Sequence, residues 1–218
     1  MLVLALDTAT PASTAALVEV TADGLRGVAE RRTVDPRAHG EKLAPEIAAI
    51  LADHDVRPRE LTAIVAGTGP GPFTGLRVGL ATAASMAHAL GIPTYGVCSL
   101  DGLGRAAGPG RVLVATDARR REVYWATYVD GARVVGPGVA KPSEVNGQYD
   151  RVVGEGGLKY GDVFGVPVEE HLLYPPGAAL VALAAERIRE AAPSEPLTPL
   201  YLRRPDAVEP TSRKSVLT

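Results

Sequence analysis

The sequence predicts an α/β fold in two lobes, and three observations carry that prediction. Short apolar strands alternate with longer segments of helical periodicity. Both halves of the chain open on an apolar strand, an Asp-led turn and an antiparallel return, first at Asp7 and again at Asp117. Between residues 67 and 83 a turn rich in glycine and proline joins an apolar strand to a long helix.

Leu2 to Leu6 and Ala15 to Val20 read as strands on either side of the tight turn Asp7-Thr-Ala-Thr-Pro11, and Leu25 to Arg31 as a third. Leu43, Ile47, Ile50 and Leu51 set a helix over 41–53, and Pro45 is tolerated in its opening turns, where N–H groups lack partners. Strand Ala63 to Ala66, the helix after the glycine turn and strand Thr94 to Val97 complete a mixed sheet with helical cover, an α/β lobe of the ribonuclease H-like kind. The second half supplies strands Val112 to Thr116, Val123 to Val129, Arg133 to Val139 and Arg151 to Val153, then a helix from Ala178 to Ala191. Prolines and charges dominate from Pro193 onward, which reads as an extended or partly ordered tail. The expected organisation is a first lobe over 1–101, a reduced second lobe over 102–195 and a tail over 196–218.

With 218 residues and 46% hydrophobic content, the chain can bury the core of one large domain or two small ones. A net charge of −2 provides no global field that would draw it to nucleic acid, so contact with RNA is expected to be local or made through a partner. One cysteine, Cys98, excludes an internal disulfide and a cysteine zinc cage, and its place after an apolar strand predicts a buried thiol. The opening residues lack the basic region and cleavage site of a signal peptide, so a cytoplasmic protein is expected, with no membrane contact.

The glycine turn resembles a phosphate loop without its chemistry. A Walker loop ends in Gly-Lys-Ser/Thr, whereas this one reads Thr74-Gly75-Leu76-Arg77, without the lysine or the metal-binding hydroxyl. What the turn supplies is geometry: Gly67, Gly69 and Gly71 permit positive φ, and Pro70 and Pro72 preset the φ of a first helical turn. In the helix that follows, Gly75, Gly79, Ala83 and Ala87 recur every fourth residue, a small-residue seam that admits close approach. Leu76, Leu80, Ala83, Ala87 and Leu90 face the sheet, while Arg77, Ala81, Ala84, Ser85 and His88 lie on the far side. Two readings follow: a central helix wrapped by its own fold, or a helix whose outer side meets a partner.

Few residues point to chemistry. His39, His54, His88 and His171 are scattered, with no spacing that would cage a metal, and no catalytic residue, metal or cofactor is expected. The turn after Asp7 has no glycine, so Cβ atoms stand where phosphates would approach the backbone, and Asp7 reads as a structural cap rather than a magnesium-handling residue. His39 and Glu41 read as capping and dipole residues of a helix start rather than an acid–base pair. Arg119-Arg-Arg121 reads as a solvated hairpin tip, with a grip on RNA phosphates as the other reading. Tyr124, Trp125 and Tyr128 read as strand packing rather than base-stacking platforms, and Gly154-Glu-Gly-Gly157 as a strand-to-helix turn rather than a remnant nucleotide loop.

Five segments together resemble the bacterial TsaB family, also called YeaZ: Ala5-Leu-Asp-Thr-Ala-Thr10, His39-Gly-Glu-Lys-Leu-Ala-Pro45, Gly69-Pro-Gly-Pro-Phe-Thr-Gly-Leu-Arg-Val-Gly79, Asp117-Ala-Arg-Arg-Arg-Glu-Val-Tyr124 and Pro199-Leu-Tyr-Leu-Arg203. They span nearly the whole chain in order. The resemblance implies two ribonuclease H-like lobes of the actin-like ATPase (ASKHA) superfamily, the second reduced. It implies a role in making threonylcarbamoyladenosine beside the tRNA anticodon, as the non-catalytic partner of the transferase TsaD, acting with the ATPase TsaE. It further implies that tRNA is contacted mainly through the complex, and that a homodimer forms when TsaD is absent. The expected partner surface comprises Leu43, Ala44, Ile47, Ala48 and Leu51 of the first helix with Arg77, Ala81, Ala84, Ser85 and His88 of the second; Asp7, Gly69, Gly71, Gly75 and Gly79 are expected to shape the loop beneath it. The competing reading is an actin-like ATP-dependent enzyme or glycopeptidase using the cleft between the lobes.

Overall fold

The computed structural model describes residues 1–203. Strands β1 (Leu2–Asp7), β2 (Ala12–Val20), β3 (Leu25–Val34), β4 (Leu61–Gly67) and β5 (Thr94–Val97) form one sheet in the order β3-β2-β1-β4-β5. The first three strands run antiparallel, and β4 and β5 continue parallel to β1. A second sheet joins β6 (Arg111–Asp117), β7 (Val123–Val129), β8 (Ala132–Ala140) and β9 (Arg151–Val153) in the order β8-β7-β6-β9. It repeats the first sheet's antiparallel trio and parallel fourth strand, and stops one strand short. The protein therefore has two lobes of ribonuclease H-like topology, the second reduced.

Alternation along β1 decides what each face of the first sheet carries. Leu4 and Leu6 pack with Leu43, Ile47, Leu76 and Leu80 from helices α1 (His39–Asp53) and α2 (Phe73–Leu90). Val3 and Ala5 face the other way, onto a cluster with Leu180, Val181, Ala184 and Ile188 of the last helix. With both faces covered, β1 has none of the apolar–polar alternation of a half-solvated strand and is apolar up to Asp7.

Two helices depart from the sequence expectation. Helix α3 (Ser99–Ala107) occupies a stretch whose glycines obscure its period. Gly102 lies against Leu180, and Gly104 lies flat on the Tyr128 ring with no room for a Cβ, so packing sets these glycines rather than helix propensity. After the short helices α4 (Glu155–Lys159) and α5 (Gly161–Phe164), helix α6 (Gly177–Arg189) returns to the first sheet and covers it, although the sequence places this segment in the second lobe. Gly177 begins it against Ala16, too close for any side chain, and its N–H donates to Glu30 at 2.8 Å.

The expected tail is extended but well packed as far as Arg203. Glu195 N–H donates to Thr94 and Leu200 N–H to Thr68, each at 2.8 Å, so the chain runs as a strap along the end of the first lobe. Arg203 then reaches the second lobe, donating to the Ala118 carbonyl at 2.8 Å and pairing with Glu122. The expectation of extended chain over 204–218 lies outside the described residues.

Because α6 covers the first sheet, a fragment ending at Asp101 would leave Val3, Ala5, Ala16, Val18, Val65 and Tyr95 uncovered on one face. Residues 1–101 alone are expected to show no cooperative melting transition by circular dichroism and to bind a hydrophobic dye. The full chain should melt cooperatively.

Candidate functional site

The site is built on the turn between β1 and β2. Asp7 Oδ1 accepts the Ala9 N–H at 3.0 Å, closing an Asx turn, and Oδ2 accepts the Ser99 hydroxyl at 2.5 Å. Thr10 Oγ1 accepts the Ala12 N–H at 3.3 Å. The Thr8 hydroxyl donates to the Gly75 carbonyl at 2.7 Å and accepts the Gly79 N–H at 3.0 Å, pinning the turn to α2. Every side chain of Asp7-Thr8-Ala9-Thr10 that can hydrogen-bond is thus engaged with the protein itself, which supports Asp7 as a cap.

The glycines of the loop are the other half of this contact. A Cβ on Gly71 would strike the Ala9 backbone, one on Gly79 would lie 2.5 Å from Thr8 Oγ1, and one on Gly75 would lie 3.0 Å from the His39 ring. Gly69 alone of the four holds positive φ, at 98°, where its N–H meets the Ser99 hydroxyl at 3.2 Å. The small-residue seam therefore receives a turn of the protein's own first lobe; Gly75, Gly79, Ala83 and Ala87 are all buried.

The opposite face of α2 is not covered. Arg77, Ala81, Ala84, Ser85 and His88 are exposed, as are Ala44, Ala48 and Ala52 on α1. This excludes the reading of α2 as a helix wrapped all round by its own fold. Leu43, Ile47 and Leu51 require a correction: at 1%, 4% and 6% exposure they belong to the core cluster and contribute no free surface. The residues beside them on the wheel, Ala44 and Ala48, form the accessible strip.

His39 also differs from expectation. No side chain caps α1, and His39 is buried instead, its Nδ1 within 2.8 Å of the Ser13 hydroxyl on β2. Burial lowers its pKa, with Asp35 opposing. Glu41 stays exposed in the first turn, where a carboxylate suits the helix dipole. Tyr124 and Tyr128 are buried, and the Tyr128 hydroxyl donates to Asp101 at 2.8 Å, so neither is a free stacking platform. Cys98 is half-buried, and burial pushes its thiol up to about 11, the protonated and unreactive form. Among the described residues no group of three or more His, Cys, Asp or Glu is placed to hold a metal.

A cleft of about 640 Å³ lies between the lobes. Its first-lobe wall carries Thr10, Arg37, His39 and the start of α2; its second-lobe wall carries Asp117, Arg119 and Tyr124. The strap closes one end with Tyr201, whose ring stacks on Phe73 at 5.1 Å and whose hydroxyl accepts from Arg77 at 2.9 Å. Arg119, Arg120 and Arg121 form an exposed tip with φ of 60°, 52° and 62°, three left-handed residues in succession without a glycine. Each costs roughly 1 kcal/mol. Bonds from Ala118 N–H to Glu122 and from Glu122 N–H to Arg119, at 3.0 and 2.9 Å, hold them there. Burial raises Asp7 to about 6 and Glu155 to about 7. The Glu155 carboxylate accepts the Asp117 N–H at 3.1 Å, as expected of a turn that leads from a strand into a helix. Sequence reasoning missed Thr8, Ser13 and Ser99; their one visible signal was a hydroxyl in or beside a turn that faces glycines at helical spacing.

Two outcomes follow from this geometry. Gly79→Ala is expected to destabilise the fold by about 2–3 kcal/mol and Thr8→Ala by about 1–2 kcal/mol. Denaturant unfolding of the double variant should show a loss smaller than the sum, because Thr8→Ala removes the atom the new methyl strikes. For Asp7, the folded value lies above the ordinary 3.8, so between 3.8 and about 6 the folded chain holds a proton that the unfolded chain has lost. Stability should therefore fall as pH rises through that window, by roughly 1–3 kcal/mol. Asp7→Asn should flatten the dependence measured by urea titration, leaving the part due to Glu155, which has the same sign.

Comparison with known proteins agrees with this architecture. The family model described as TsaD, tRNA N6-adenosine threonylcarbamoyltransferase, matches residues 32–187. An uncharacterized protein of Mycobacterium leprae is 50% identical over 206 residues, 94% of this chain and 56% of that longer relative. The tRNA threonylcarbamoyladenosine biosynthesis protein TsaB of Escherichia coli is 35% identical over 164 residues, covering 71% of this chain and 69% of that one. The solved structure of YeaZ from Pseudomonas aeruginosa superposes with a TM-score of 0.77 at 29% identity, over 92% of this chain and 99% of that one. With the TsaB of Escherichia coli at 35% identity and a YeaZ structure superposing over 92% of this chain, the chain belongs to the TsaB, or YeaZ, family.

Proposed function

We propose that this chain acts in the synthesis of threonylcarbamoyladenosine on tRNA as the non-catalytic partner of the transferase TsaD, with TsaE as a third component, in the cytoplasm. The observation that carries the reading is the division of labour on α2. One side is filled by the protein's own Thr8 turn, and the other presents Ala81, Ala84 and Ser85 to solvent beside Ala44 and Ala48 of α1. Small side chains on two adjacent helices permit close approach of a second helix pair, giving a four-helix bundle. A partner of like fold fits that geometry, because the same two helices are available on it. In the absence of TsaD a second copy of this chain is expected to take its place, since a twofold contact between like surfaces is self-complementary.

The non-catalytic part of the reading is supported by the Asp7 turn, whose polar side chains are all engaged internally, so that it offers little to a nucleotide's phosphates. With a net charge of only −2, tRNA is held chiefly by the assembled complex. No helix among the described residues is long and apolar enough to cross a membrane.

Ala84→Arg tests the surface. Its side chain points outward, so circular dichroism should show a folded monomer, while an unpaired charge at the centre of the contact weakens association by about 2–5 kcal/mol. Size-exclusion chromatography with light scattering should then show loss of both the homodimer and the TsaD complex, and a tRNA modification assay should show loss of TsaD stimulation. A folded Ala84→Arg variant that binds TsaD at wild-type affinity would place the interface elsewhere. Modification of tRNA by this chain without TsaD would remove the non-catalytic reading.

A further inference from the structure

The first hairpin of each lobe ends in a turn, and the two turns are put to opposite uses. In the first lobe the turn between β1 and β2 folds back on the protein, and Thr8, Ala9 and Thr10 are buried. In the second lobe the turn between β6 and β7 projects Arg119, Arg120 and Arg121 into solvent, the one run of three basic residues in the chain. Long side chains rarely hold positive φ, and a turn that had only to reverse the chain would carry glycine or asparagine here. The arginines are held in that geometry by the two backbone bonds across the turn. Arg203 supports it from the strap, donating to the Ala118 carbonyl at 2.8 Å and pairing with Glu122. A segment anchored on the first lobe thus braces the tip of the second.

The charge of the tip is not cancelled by the acids beside it. Asp117 is taken by Lys159 at 3.1 Å, and Glu122 by Arg203. Among the described residues Arg119 and Arg121 carry no ion pair, in contrast to Arg111 and Arg187, which pair with Asp150 and Glu195. The tip also presents no apolar side chain, since Ala118 and Val123 on either side of it are buried. A protein partner needs an apolar centre to its contact, whereas a nucleic-acid contact is polar and positive. In a left-handed turn successive side chains point about 100° apart, the mirror image of a right-handed helix. The guanidinium groups therefore diverge and reach separate phosphates rather than one. Tyr124, the aromatic residue that follows, is buried, so it offers no ring for a base to stack on.

We propose that the β6–β7 tip grips the sugar–phosphate backbone of RNA through Arg119 and Arg121, without regard to base sequence. The choice of tRNA as its target rests on the function proposed above, and the tip is then this chain's own contribution to holding it. A contact made by charge to phosphates weakens with salt and carries no sequence information. The tip belongs to the second lobe and the proposed partner face to α1 and α2 of the first, so the two contacts use different residues.

Asparagine tolerates left-handed φ, so Arg119→Asn combined with Arg121→Asn removes two charges and keeps the turn, and the melting temperature should hold. In the complex with TsaD, shown intact by light scattering, this double variant is expected to bind tRNA roughly tenfold more weakly at about 0.1 M salt. The slope of log affinity against log salt should fall by about 1.5, equally for tRNAs of different sequence. Arg119→Lys combined with Arg121→Lys should restore both, because charge rather than shape carries the contact. Anisotropy of a fluorescent oligoribonucleotide with the isolated full chain at low salt gives a second reading that does not depend on TsaD. If no complex with TsaD forms, the function proposed above falls, and this second reading decides the tip: RNA binding that is lost in the asparagine variant upholds it, and binding that is absent or unchanged overturns it. Wild-type tRNA affinity and salt slope in an intact complex carrying the asparagine variant also overturn the proposal. So does release of TsaD or TsaE by that variant with the RNA affinity of the isolated chain unchanged, which makes the tip a protein contact.

Discussion

The hydroxyl of Thr8 holds the architecture together. It accepts the Gly79 N–H and donates to the Gly75 carbonyl, two groups that stand one turn apart on α2. That bridge is possible only because neither residue has a side chain. It sets the rotation of α2 about its own axis, and the rotation decides which residues meet solvent. With Gly75, Gly79, Ala83 and Ala87 turned inward, Arg77, Ala81, Ala84, Ser85 and His88 must turn outward. The same contact fixes the start of α2 at the wall of the cleft. One short side chain thus positions the proposed partner face.

The glycines show how a sequence signature can survive a change of use. A glycine turn between a strand and a helix brings backbone close to something, and in nucleotide-binding proteins that something is a phosphate. Here the close neighbours are Ala9 for Gly71, Thr8 for Gly79 and the His39 ring for Gly75. The geometric demand is the same, and the occupant is the protein's own turn. This is why the absence of lysine and of a glycine after Asp7 was informative, while the presence of glycines was not.

Much of the fold was legible because strands and amphipathic helices have short periods that a single chain displays. Strands β5 and β9 match the sequence reading residue for residue, and the outward face of α2 followed from its wheel. Helix α3 was not legible, since Gly102 and Gly104 answer to Leu180 and Tyr128, residues distant in the chain. The return of α6 to the first sheet was hidden for the same reason: a helix periodicity states that one face is covered, never by what. His39 was taken for a capping residue because its buried partner, Ser13, lies 26 positions away. At the site, the outward residues were found and Leu43, Ile47 and Leu51 were over-assigned, because a wheel places neighbours on a face without saying how deep each sits.

The covering of the first sheet by α6 also orders events during synthesis. The five strands of that sheet are complete once Val97 has been made, yet the helix that closes its second face spans Gly177–Arg189. At ribosomal rates of about 5–20 residues per second, roughly 4–16 seconds separate the two. Through that interval Val3, Ala5, Val18 and Val65 form an apolar sheet surface without its cover. A nascent chain of this protein is thus a ready client for a hydrophobic-binding chaperone, and its first lobe matures last although it is made first.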